Sequence, residues 1–263
     1  FRRGGVTRDL TVVAASERPF HNVSYYPSRA LAKVGDELWA VSSMRHEVAR
    51  LDPVTLANQG TITVGPWPVA LAAAKDVVLV VQRGNDTLGV IDAKSGSLID
   101  AIWVGDEPSN VVLSPDESRA FVTLATEAQI AVVDVAKREV VERWDGPADP
   151  LGLAISSDGK TLAVASHRSG HTDRFPWGTD PKDEERDIAL MNTATGDVTR
   201  WLMDAGTTIR SLVFSADGKR LYVALTRNDI RANLGNLDEK SFEHLIVAYD
   251  TATGDEVAKA DLS

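Results

Sequence analysis

Five histidines, with no cysteine, carry most of the acid–base and metal-binding potential of this 263-residue chain. His167 and His171 stand four residues apart in His167-Arg168-Ser169-Gly170-His171-Thr172-Asp173. On a helix that spacing sets both imidazoles on one face, the arrangement a metal needs. Ser169 and Gly170 favour an irregular loop instead, and the plain alternative is an exposed polar segment. Three arginines recur just after apolar runs: Arg83 in Gln82-Arg83-Gly84-Asn85-Asp86, Arg168, and Arg227 in Thr226-Arg227-Asn228-Asp229. Guanidiniums lining a channel would hold a carboxylate or phosphate by paired hydrogen bonds. The competing reading pairs each arginine with an Asp or Glu of a neighbouring blade as part of the repeat.

Other chemistries are disfavoured. There is no Gly-x-Ser-x-Gly elbow, phosphate loop, dinucleotide fingerprint or His-Glu-x-x-His pair, and no spacing of Ser, His and Asp singles out a triad. Zero cysteines exclude disulfides, thiolate zinc sites and covalent haem attachment within these residues. No cofactor is expected within this chain. A net charge of −10 and no basic stripe argue against nucleic-acid binding. No apolar run approaches the ~20 residues of a membrane span. The first residue is Phe1, so the chain is expected to be processed, trimmed or incomplete.

The elements that must position these residues come from a repeat. Apolar runs ending in Asp52, Asp92, Asp134, Asn192 and Asp250 are five copies of one element, spaced by 40, 42, 58 and 58 residues. A unit of about 40 residues built from short alternating strands predicts an all-β propeller of four-stranded antiparallel blades. The third copy is the template. Its strands are expected at Ser109–Leu113, Arg119–Leu124, Ile130–Val135 and Glu139–Trp144, with a Ser114-Pro115-Asp116-Glu117 turn. Blades are expected at residues 27–66, 67–107, 108–147, 148–207 and 208–263 of one propeller domain. An outer-strand pattern at 8–16 and another at Glu256–Leu262 predict that the five blades belong to a larger ring of seven.

Arg220-Leu221-Tyr222-Val223-Ala224 and Arg119-Ala120-Phe121-Val122-Thr123 resemble the second-strand signature of YVTN-type propeller repeats. Val90-Ile91-Asp92-Ala93-Lys94-Ser95-Gly96 and Ala248-Tyr249-Asp250-Thr251-Ala252-Thr253-Gly254 resemble its third strand and corner. The resemblance spans residues 27 to 263, and the first blade departs from it at Val34-Gly35-Asp36-Glu37. It implies a bacterial or archaeal protein, periplasmic or extracellular, with a redox protein as partner; the two outer-strand patterns make missing blades of its own ring the other expected partner.

Blade topology sorts the loops. Those joining second to third strands, and outer strands to the next inner strand, share one end, here called the top. Two excess segments fall there, Ser166 to Arg186 and Thr226 to Glu243, and long loops on a regular scaffold are functional more often than short turns. His46, His167, His171 and His244 lie in or beside top loops, and His21 precedes the first inner strand. The expected ligand-binding set is therefore His46, Arg83, His167, Arg168, His171, Arg227 and His244. Trp103, Trp144 and Trp201 recur on outer strands and are read as packing. Trp67 and Phe175-Pro176-Trp177-Gly178 sit in top loops, as plugs or partner anchors. The function expected is a binding or scaffold module that docks a partner protein or small anionic ligand on its top face. The alternative is an enzyme (a hydrolase, lyase or oxidoreductase subunit) with a His/Arg-lined pocket there.

Overall fold

Among the described residues, short runs rich in Val, Ile and Leu, broken by Asp-, Gly- and Pro-containing turns, fold into twenty strands, and a 3-10 turn at Arg83–Asn85 is the one helical element there. The computed structural model describes residues 30–166, 188–202, 207–228 and 242–262. The first sheet holds β1 (Leu31–Val34), β2 (Glu37–Ser42), β3 (Glu47–Leu51) and β4 (Asn58–Thr63). The second holds β5 (Pro68–Ala73), β6 (Val77–Gln82), β7 (Thr87–Asp92) and β8 (Ser97–Trp103). The third holds β9 (Pro108–Leu113), β10 (Arg119–Leu124), β11 (Gln129–Asp134) and β12 (Glu139–Asp145). The fourth holds β13 (Pro150–Ile155), β14 (Thr161–Ser166), β15 (Ile188–Asn192) and β16 (Val198–Leu202). The fifth holds β17 (Thr207–Phe214), β18 (Arg220–Asn228), β19 (Phe242–Asp250) and β20 (Glu256–Asp261). Each is a four-stranded sheet ordered as its strands occur in the chain, which is the blade the repeat predicts.

The template blade shows how closely pattern fixes element. β10 has the expected bounds, whereas β11 begins and ends one residue earlier than expected. The cause is Asp134, whose carboxylate accepts the Lys137 N–H at 2.9 Å and turns the chain there. The same Asx corner closes every blade, through Asp52, Asp92, Asn192 and Asp250. The first-to-second-strand turns of blades three to five repeat a second device. Ser114, Ser156 and Ser215 donate to Asp116, Asp158 and Asp217 at 2.5, 2.7 and 2.6 Å. Each serine oxygen also accepts the first N–H of the following strand, at Arg119, Thr161 and Arg220.

Two compact units divide the chain, Phe1–Val111 and Val112–Ser263. In the first, Trp39, Val48, Ile62, Leu71, Val80 and Ile91 form a shared core between the first two blades. Arg50 clamps Glu37 through two hydrogen bonds of 2.8 and 2.6 Å and lies 5.9 Å from the centre of the Trp39 ring. That clamp holds the Glu37 carboxyl below its ordinary range.

In the second unit, blades three and four share a core of Val112, Phe121, Ile130, Val132, Trp144, Leu153, Val164 and Met191. Blades four and five share another, with Ile188, Leu190, Leu212, Phe214, Val223 and Val247. Strands buried on both faces read as continuous apolar runs, as in Ile130–Val133.

One expectation about packing is corrected. Trp144 packs on Phe121 with ring centroids 5.5 Å apart, and Trp201 is half-buried against the same core. Trp103, by contrast, is 63% exposed. It pairs with Thr87 while Ile102 pairs with Leu88; in the third blade Asp145 pairs with Gln129 and Trp144 with Ile130. Trp103 therefore occupies the position of Asp145, and that one-residue offset turns its ring to the other face.

Candidate functional site

One hydrogen bond recurs at the top ends of blades one to three. The last residue of the second-to-third-strand turn accepts from the backbone just past the outer strand: Val64 N–H to His46 O, Val104 N–H to Asp86 O, and Gly146 N–H to Ala128 O, at 2.8–3.0 Å. In blade two the connector is tied down further, with Gly84 and Arg83 N–H donating to Pro66 O and Trp67 O, both at 3.0 Å. Ser43 Oγ donates to Pro68 O and Ser166 Oγ to Ala148 O, each at 2.6 Å.

This scaffold holds an unusual backbone. His46, Trp67, Asp86, Glu107, Ala128 and Asp149 all adopt φ between 48° and 61°. All six are at the top, and none is glycine. At the opposite end, six of the nine described residues with left-handed backbone are glycines: Gly35, Gly96, Gly159, Gly196, Gly218 and Gly254. A left-handed non-glycine residue costs about 1–2 kcal/mol. Trp67, Glu107 and Asp149 also precede a proline, which normally pushes a residue into extended backbone. The same costly geometry recurs while the side chain changes from indole to carboxylate.

Arg83 is buried and lies 2.7 Å from the Glu107 carboxylate, itself half exposed. Glu107 is anchored in turn, its N–H donating to Asp86 Oδ1 at 3.2 Å. Beneath Arg83, the Gln82 side chain is fully buried between two glycines. A Cβ at Gly65 would fall 1.8 Å from Gln82 Oε1, and one at Gly89 1.9 Å from Nε2. Gly65 and Gly89 are therefore required by the amide that packs there.

Among the expected binding residues, His46 is exposed in the β2–β3 turn. His244 is exposed on β19, with Nδ1 3.3 Å from the Thr226 hydroxyl. Arg83 forms an ion pair with Glu107, an acid at the end of its own expected blade rather than one of a neighbouring blade. Arg227 lies in β18, whose backbone pairs it with Glu243. His167, Arg168 and His171 lie outside the described residues, as do Phe175-Pro176-Trp177-Gly178 and most of both long top segments. Among the described residues no group of three or more His, Asp or Glu is placed to hold a metal ion.

Sequence reasoning missed the left-handed top residues and Gln82. The pre-proline repetition of Trp67, Glu107 and Asp149 was visible, but the usual proline rule points to the opposite conformation.

Comparison with known proteins agrees with this architecture. A family model described as YNCE-like beta-propeller matches residues 38–238. The chain belongs to that family. Proteins named "Uncharacterized protein YncE" from Salmonella typhimurium (strain LT2) and Salmonella typhi are each 34% identical over 101 residues. Those residues are 38% of this chain and 28% of each relative, so the match spans under a third of the relatives' length. A chain of Kuenenia stuttgartiensis hydrazine synthase superposes with a TM-score of 0.78 at 23% identity, covering 95% of this chain and 70% of that one. That likeness is one of fold.

Proposed function

We propose that this YNCE-like propeller is an exported binding scaffold that docks a partner protein through the top ends of its blades. The observation that carries this reading is the set of six non-glycine left-handed residues there, against a glycine-dominated opposite end. Strained backbone persists where the surrounding structure over-determines it, and it concentrates at binding sites. Glycine at those positions would relieve the strain, so retaining Trp67, Glu107 and Asp149 favours a role for their side chains. Trp67 is 40% exposed on a connector held by Arg83 and Gly84, a rigid aromatic anchor of the kind that dominates protein interfaces. The net charge of −10 favours a basic surface on the partner.

A periplasmic or extracellular setting and a link to a redox protein rest on the YVTN-type resemblance of the repeats. The test is site-specific photo-crosslinking in periplasmic extract, with the crosslinker at Trp67 or at Leu56 on the opposite end. The expected result is one adduct from position 67, whose identified protein then binds the purified chain about tenfold more weakly after Trp67→Gly. An adduct formed equally from position 56, or reconstituted binding that Trp67→Gly leaves unchanged, would overturn the reading.

A further inference from the structure

The β2–β3 turn of blade one carries a side chain that the repeat does not call for. His46, Asp86 and Ala128 are register equivalents, each accepting the same backbone bond from just past the outer strand. Two residues before them stand Met44, Gly84 and Thr126. A thioether, a glycine and a hydroxyl serve one position of one turn, so the turn itself requires no methionine. Met44 is nevertheless 40% exposed, a large apolar side chain held at the top end of the blade.

The backbone on both sides of Met44 is pinned. Arg45 N–H donates to Ser42 O at 3.2 Å, and His46 O accepts the Val64 N–H at 2.9 Å. Ser43 Oγ donates to Pro68 O at 2.6 Å. Ser43 precedes Met44 and Pro68 follows Trp67, so this one bond joins the two segments that present the exposed thioether and the exposed indole. Thioethers adapt to irregular apolar partners, which suits Met44 to the same docking surface as Trp67.

Sulfur gives this site a reactivity of its own. The chain has three methionines and no cysteine. Met191 is fully buried in the core of blades three and four, and Met203 lies outside the described residues. Among the described residues Met44 is therefore the one exposed sulfur. Hydrogen peroxide meeting it transfers one oxygen atom to Sδ. The S–O bond forms from a sulfur lone pair as the O–O bond breaks. The proton of the transferred oxygen passes to the departing hydroxide, which leaves as water. The product, methionine sulfoxide, is polar and is reduced back enzymatically.

We propose that Met44 is an oxidisable site through which peroxides release a partner docked on the top ends of blades one and two. This rests on the reading of the top surface as a docking site. A sulfoxide beside the Trp67 connector turns an apolar part of that surface into a polar one that docking must desolvate. Reduction of the sulfoxide restores docking.

The full chain is treated with hydrogen peroxide, quenched with catalase and mapped by mass spectrometry at all three methionines. Oxygen addition is expected to be about 100-fold faster at Met44 than at Met191. The protein identified by the crosslink from position 67 is then bound to the treated chain, to Met44→Leu and to Met44→Gln. Oxidation is expected to weaken binding about tenfold, and Met44→Gln, polar and of similar length, should do so without oxidant. The pair of reductases that together act on both sulfoxide epimers should return full affinity. Met44→Leu, a volume-conserving change, should bind as the untreated chain does and keep its affinity in peroxide. Oxidation of Met44 no faster than that of Met191, or full binding by the completely oxidised chain, would overturn the inference while leaving docking in place. An equal loss in peroxide-treated Met44→Leu would assign the sensitivity to another residue and overturn it too. If position 67 yields no specific adduct from the untreated chain, the docking reading fails and the switch fails with it.

Discussion

The indole of Trp144 lies directly over the corner at Gly196: a Cβ built on that glycine would sit 2.4 Å from the Trp144 Cγ. Trp144 closes the outer strand of blade three, and Gly196 turns blade four from β15 into β16 at φ 77°. One glycine thus answers two demands, a left-handed turn and an approach that no side chain permits. Gly196→Ala should lower stability by about 2–4 kcal/mol, adding backbone strain to overpacking against a buried ring. Urea unfolding would measure it. Gly35→Ala, where a Cβ meets nothing within 4 Å, should show the strain alone, about 1 kcal/mol. Equal losses at both sites would mean that the Trp144 contact contributes nothing.

The Arg83–Glu107 pair couples a buried cation to a half-exposed carboxylate. Removing the anion leaves Arg83 buried with a weaker partner, and solvent access at Glu107 moderates the cost. Glu107→Gln is expected to destabilise by about 1–2 kcal/mol. Lys137→Ala, which removes an exposed pair with Asp134, should change stability by under about 0.5 kcal/mol. Both are read by denaturant titration at low and moderate salt. A Glu107→Gln effect as small as that of Lys137→Ala would show that the pair adds nothing to blade two.

Acid sensitivity should concentrate in the turn aspartates. Asp116, Asp158 and Asp217 are held below the ordinary aspartate value of 3.8, chiefly by the hydroxyls of Ser114, Ser156 and Ser215. Asp52, Asp92, Asp134 and Asp250 are held down chiefly by backbone N–H donors from Thr55, Ser95, Lys137 and Thr253. A depressed folded-state value means that the contribution is fully present above the unfolded value and is lost as pH falls through the folded one. Stability should be level above about pH 5 and fall below 3.8. Asp116→Asn combined with Asp217→Asn keeps an accepting oxygen but removes the charge, so the acid limb should flatten. An unchanged limb would place the acid sensitivity elsewhere.

The repeat made the blades legible because period-two alternation and Asx corners are local signals, readable over six residues at a time. The strand β10 was visible to the residue for that reason. Trp103 was misread because its face depends on a one-residue register difference against β7, which strand composition alone does not reveal. An ion pair for Arg83 was one of two readings the sequence allowed, but with an acid of a neighbouring blade. Its partner Glu107 lies 24 residues away along the chain and meets it only once the connector is folded. The left-handed top residues were invisible for a different reason. At His46, Asp86 and Ala128 they are held by hydrogen bonds from just past the outer strand, such as Gly146 N–H to Ala128 O, which no local pattern reveals.

That last conflict between local preference and imposed geometry can be measured directly. Ala128 and His46 are the cleanest sites, since neither side chain is buried in the core and both sit at φ near 55°, at 53° and 57°. Replacing either with glycine relieves left-handed strain, partly offset by the greater freedom of glycine in the unfolded chain. Ala128→Gly and His46→Gly are each expected to raise stability by about 0.5–1 kcal/mol, a reversal of the usual cost of introducing glycine. Leu56→Gly, at φ 58° on the opposite end, should be stabilised similarly, which separates relief of strain from loss of a top side chain. What should differ is binding. His46→Gly and Trp67→Gly remove a top side chain and should weaken the crosslinked partner, whereas Leu56→Gly should not. If all three variants keep full binding, the top residues hold their strained backbone for the sake of the turn alone, and the docking site lies elsewhere on the blades.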